Sequence, residues 1–89
     1  MRHCILDGAT LPDADAVYRA IAAEFGLPAH FGRNPDALWD ALNEPGLDKR
    51  ELTWRNSDVS AQHFGPEFDT IVRVLKRAVA AGLLTLRLL

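Results

Sequence analysis

Apolar positions along the chain follow two rhythms, short runs bounded by turn residues and stripes spaced three and four apart. His3-Cys4-Ile5-Leu6 is a run closed by Asp7-Gly8, a turn signal, and reads as a buried strand. Leu52-Thr53-Trp54 is a second strand, rich in side chains that suit a pleated surface, and Leu83 to Leu88 is a third. Between them the spacing becomes helical. Val17, Tyr18, Ile21 and Phe25 share one face of a helix that Asp13 can cap and Gly26 ends. A second helix starts at Pro35 behind Asn34 and runs to about Asn43, with Leu38 and Leu42 for the core, until Glu44-Pro45-Gly46 stops it. Ser57 or Asp58 caps a short helix through about His63. Gly65-Pro66 then opens the longest helix, striped by Phe68, Ile71, Val72, Leu75 and Val79 and ended by Gly82. Apolar strands separated by helices imply parallel pairing through crossovers. The expectation is an α/β domain spanning residues 1–89, with three parallel strands packed against about four helices. No repeat, linker or low-complexity segment interrupts it.

Charge changes this picture through its distribution. The net charge of −2 is mild, but residues 7–48 carry eight acids against two bases, and residues 49–89 seven bases against four acids. An acidic middle repels phosphates, which argues against nucleic acid as a partner there. Arg73, Lys76 and Arg77 in the basic half read as the solvated face of the long helix. Cys4 is the only cysteine, so no internal disulfide can form, as befits a reducing cytosol, and it reads as buried and structural. Arg2 is followed by too short an apolar stretch for a signal peptide, and Val79 to Leu86 is far short of a membrane span. A cytoplasmic protein that is monomeric when free, with no membrane association, is the expectation.

The segment Phe31-Gly32-Arg33-Asn34-Pro35-Asp36-Ala37-Leu38-Trp39-Asp40 carries the chemistry. Asn34 is a strong N-cap residue and Pro35 fits the first helical position. Asp36 and Asp40 are four apart and share a face, at a cost of roughly 0.2–0.5 kcal/mol in like-charge repulsion. The helix dipole offsets this for Asp36, whereas Asp40 lies beyond the first turn. Trp39 is rotated about 100° from Leu38, so it can pack inward at the edge of the core stripe and still touch a partner. An acidic helix face beside a tryptophan is what a protein presents to a cationic cleft. Each residue also has a plainer reading: Asp36 and Asp40 as a solvated turn, Trp39 as core, Phe31 as a local plug, Gly32 as a site of positive φ, Asn34 as a cap only. His30 adds a titratable group, with a reference pKa of about 6.5, in the loop before the helix.

This run, extended upstream through Leu27-Pro28 and downstream to Leu42, resembles the barstar family, small intracellular inhibitors of the secreted ribonuclease barnase. The resemblance spans the chain. It implies the same three-stranded α/β architecture and no enzymatic activity, cofactor or metal. Inhibition, on this likeness, is by occlusion: the acidic helix and preceding loop enter the nuclease active site, where the aspartates take the place of RNA phosphates. Asp36, Trp39 and Asp40 match family contact residues, and Gly32 and Asn34 match the loop. His30 and Phe31 stand where the type member has tyrosines, Arg33 replaces an acid, and Arg77 and Ala81 replace glutamates, one of them a nuclease contact. The acidic pair is kept while its acidic periphery is lost or reversed. Arg33 and Arg77 are therefore secondary contact candidates, and the partner is a small ribonuclease or another basic protein toxin, not by default barnase.

Catalysis has little support in the residues. His3, His30, His63 and Cys4 show no helical metal spacing, and there is no H-E-x-x-H, phosphate loop or G-x-S-x-G run. An exposed carboxylate pair lacks the burial that tunes an acid–base couple. Two functions remain: an antitoxin-like immunity protein that inhibits a ribonuclease, and a non-inhibitory interaction domain that binds some other basic protein.

Overall fold

A computed structural model describes residues 2–28, 31–44 and 49–89. The chain runs β1 (Arg2–Asp7), α1 (Ala14–Phe25), α2 (Pro35–Leu42), β2 (Arg50–Arg55), α3 (Ser57–Phe64), α4 (Pro66–Ala80) and β3 (Leu84–Leu88). The strands form one parallel sheet in the order β1-β2-β3, with Cys4 opposite Leu52 and Leu52 opposite Leu86. This is the α/β architecture that the hydrophobic pattern implies.

Local chemistry sets most of the helix ends. The Asp13 carboxylate accepts the Ala16 amide, and Gly26 closes α1 in the left-handed region at φ 65°, where a side chain is strained. At the end of α4, Gly82 N–H donates to Val79 O and Leu83 N–H to Ala78 O, a Schellman closure. The start of α3 differs from expectation. Neither Ser57 nor Asp58 caps it; Asn56 does so in a left-handed conformation, with no side-chain bond to the helix. Long-range partners have taken the Asn56 and Ser57 side chains: Asn56 Nδ2 donates to Asp7 and the Ser57 hydroxyl to Leu89 O.

The core sits between the sheet and the helices. Leu6, Leu52 and Trp54 from the strands meet Val17, Ile21, Leu38, Leu42, Ile71 and Leu75 from the helices, all fully buried. The Trp54 indole N–H donates to the Ser60 hydroxyl at 3.0 Å, so neither buried polar group lacks a partner. On α4 the stripe is corrected at its end. Ala78 is fully buried and Val79 is 40% exposed, so the smaller of two neighbouring apolar residues faces the core. Cys4 is buried as expected, and desolvation, with Glu24 second, pushes its thiol up to about 12. It is a neutral packing group.

The strands are not buried on both sides, contrary to their reading as apolar runs. Burial alternates along β1 and β2, and Ile5 is 66% exposed. Topology explains it. Right-handed crossovers that step twice in the same direction, β1 to β2 to β3, lay every helix on one face. The other face, with His3, Ile5, Thr53 and Arg87, carries no helix among the described residues. Arg50 was also unmarked by the linear pattern: it opens β2, is 3% exposed, and lies 5.4 Å from the Phe25 ring centroid. Burial lowers its pKa, Arg2 adds to the shift, and Glu44 opposes it.

One pH effect follows at the end of β1. The Asn56 amide, then the Ala9 amide, donate to Asp7 and hold its carboxyl below the ordinary carboxylate range. A depressed folded pKa gives stability that is present above the unfolded value of about 3.9 and lost as pH falls through the folded one. Wild type should therefore lose melting temperature between pH 5 and pH 2.5 more steeply than Asp7→Asn; parallel pH profiles would remove Asp7 from this role.

Candidate binding site

Helix α2 and the loop before it are positioned by three local devices. Asn34 Oδ1 accepts the Ala37 amide at 2.8 Å, Pro35 occupies the first helical position, and Leu38 and Leu42 anchor the helix in the core. Asn34 N–H donates to Gly32 O at 3.0 Å, which tightens the loop into the cap. Gly32 does not have positive φ, contrary to expectation. Its lack of a side chain answers a close approach instead: a Cβ there would lie 3.2 Å from Asn34 Nδ2 and 3.3 Å from the Ala37 Cβ. Phe31 is half-buried against Tyr18, ring centroids 6.5 Å apart, so the plug reading holds in part. Burial, and Glu67 second, raise the pKa of the Tyr18 phenol, which keeps it neutral beside Phe31.

Asp36 and Asp40 are exposed, and among the described residues neither has an ion-pair partner. Four residues of helix separate them by about 6 Å along the axis. Beside them Phe31, Gly32, Ala37, Asp40, Ala41 and Glu44 line a cleft of about 290 Å³ with an apolar lining and two carboxylates. His30 lies outside the described residues. Glu44 was not a site candidate; it follows the Asn43 cap of α2 and lines the cleft from beyond the helix end.

The two arginines that depart from an all-acidic surface are both engaged within the chain. The Arg33 guanidinium donates through Nε to Asp15 on α1, and Arg19 Nε lies 3.0 Å from the other oxygen of the same carboxylate. Arg77 reaches from α4 to lie over the half-buried Trp39 ring, 3.9 Å from its centroid. No sequence signal shows these pairings, since the partners are 18 and 38 residues away. Ala81 caps the end of α4 and is exposed. The stack predicts a measurable change. Arg77→Ala should cost about 0.5–1 kcal/mol and raise the fraction of tryptophan emission quenched by acrylamide, because Trp54 stays buried while Trp39 is uncovered. Unaltered quenching would mean that the stack does not persist in solution.

Helix α2 thus presents a capped acidic face, a tryptophan and an adjoining acid-lined cleft on a small α/β scaffold. The family model of Barstar (barnase inhibitor) matches residues 1–85, and the chain belongs to that family. Its members are inhibitors, not enzymes, and the reading of the residues against catalysis holds on that ground. The chain is also similar to a Bacillus subtilis (strain 168) protein named "Putative ribonuclease inhibitor YrdF". They are 28% identical over 78 residues, covering 88% of this chain and 86% of that one. No helix among the described residues is long and apolar enough to cross a membrane.

Proposed function

We propose that this chain inhibits a small basic ribonuclease by seating α2 and its preceding loop over the enzyme's phosphate-binding cleft, as a cytosolic antitoxin or immunity protein. The observation that carries this reading is the exposed Asp36–Asp40 pair, held on a capped and core-anchored helix without a cation of its own among the described residues. Such carboxylates substitute for substrate phosphates, and their field accelerates encounter with a cationic cleft. Phe31, Gly32, Asn34 and Trp39 frame the pair. His30, next to Phe31 in sequence, is proposed as a further contact. Family membership and the name of the B. subtilis relative point the same way.

Arg33 and Arg77 would favour the second reading, an interaction domain for some other protein, if they stood as free cations. Their engagement by Asp15 and Trp39 weakens that objection. The direct test is cleavage of RNA by barnase and by a panel of small basic ribonucleases, with this protein added in rising amounts. Activity of at least one enzyme should fall to a stoichiometric end point, and co-expression should rescue cells from that enzyme. If no ribonuclease loses activity at micromolar concentrations of the protein, the interaction-domain reading replaces this one.

A further inference from the structure

A second groove lies on the far side of Phe31. Ala22, Ala23, Leu27 and Phe31 line it together with Arg19 and Arg33, and its volume is about 210 Å³. Phe31 also lines the cleft that holds Asp40 and Glu44, so two recesses of opposite charge adjoin across one aromatic ring. Asp15 binds both arginines through their Nε atoms, one on each carboxylate oxygen. One carboxylate against two guanidiniums leaves a net charge of +1, and both arginine side chains are more than half exposed. Arginine is the residue best shaped to receive a second carboxylate, because its planar fork offers five donors and Nε uses one.

We infer that the Arg19–Arg33 groove is a second contact subsite, which receives an acidic side chain of the same protein partner. The inference rests on the inhibitor reading and adds a selectivity rule to it. The partner must carry a carboxylate beside its cationic cleft, and a ribonuclease whose cleft rim is wholly basic is repelled at this groove. A nucleic-acid phosphate is a poor occupant, since Asp40 and Glu44 sit across Phe31 and repel a polyanion. Asp15 competes with the partner's carboxylate for both arginines and turns Arg33 toward α1.

The test uses whichever ribonuclease wild type inhibits most tightly, with dissociation constants measured at low salt and melting curves recorded for every variant. The double variant Arg19→Ala/Arg33→Ala should bind at least tenfold more weakly. Asp15→Asn keeps both arginines and removes the anion that competes for them, so it should bind as tightly as wild type or more tightly. A double variant within twofold of wild type would overturn the inference. So would an Asp15→Asn variant as weak as the double, since a mere tether for the loop predicts that result. Either outcome leaves the inhibitor reading standing if Asp40→Ala still binds at least tenfold more weakly. A wild-type protein that inhibits no ribonuclease removes both.

Discussion

Asp40→Ala is expected to raise the dissociation constant for the inhibited ribonuclease at least tenfold while leaving the fold intact. Asp40 is exposed, lies one turn beyond Asp36, and has no ion-pair partner among the described residues. Its removal therefore breaks nothing inside the protein and relieves about 0.2–0.5 kcal/mol of repulsion from Asp36. Stability should stay within about 0.5 kcal/mol of wild type. In a complex the same carboxylate is desolvated against a cation, and truncating one member of such a pair costs about 2–5 kcal/mol. The barnase–barstar complex is itself a reference case for that range, so the magnitude is borrowed from the family. The association rate should fall with added salt, more steeply for wild type than for the variant. A folded Asp40→Ala protein that inhibits as well as wild type would show that α2 is not the contact surface.

Leu38→Ala, two residues away, is expected to do the reverse. Leu38 is fully buried in the cluster that joins α1, α2, α4 and the sheet. Deleting a buried leucine side chain costs about 2–5 kcal/mol, the transfer loss plus the cavity it leaves. In a domain of this size that is a fall in melting temperature of roughly 10 °C or more, out of a total stability of about 5–15 kcal/mol. Inhibition measured well below the melting point should be close to wild type, because Leu38 presents nothing to a partner. A shift under 3 °C would mean that α2 is not anchored through this residue.

Features governed by neighbouring residues were legible before the structure. Asp13, Gly26, Asn34, Pro35, Pro66 and Gly82 mark helix ends by chemistry acting within a turn, and every one of those ends falls within a residue or two of its expected place. The acidic pair was legible for the same reason, since helical spacing alone stacks Asp36 on Asp40. Features made by distant pairings were not. Asn56 takes a left-handed cap while its side chain reaches Asp7 at the end of the neighbouring strand, and Arg33 turns away from the acidic face because Asp15 stands on another helix. Arg77 read as a solvated cation until α4 was laid beside Trp39. The uncovered sheet face needed strand order as well as strand identity. Alternation within β1 is visible in the letters only once one knows on which side the helices fall.

That uncovered face makes the molecule a plate with a back. His3, Thr85 and Arg87 lie on the side of the sheet away from the helix layer that carries Asp36 and Asp40. A fluorophore, a surface linker or a fused partner attached there would leave the acidic helix unobstructed. The same asymmetry bears on how such chains diverge: residues on the back can change for solubility or for tethering without disturbing either the core or the recognition of a ribonuclease.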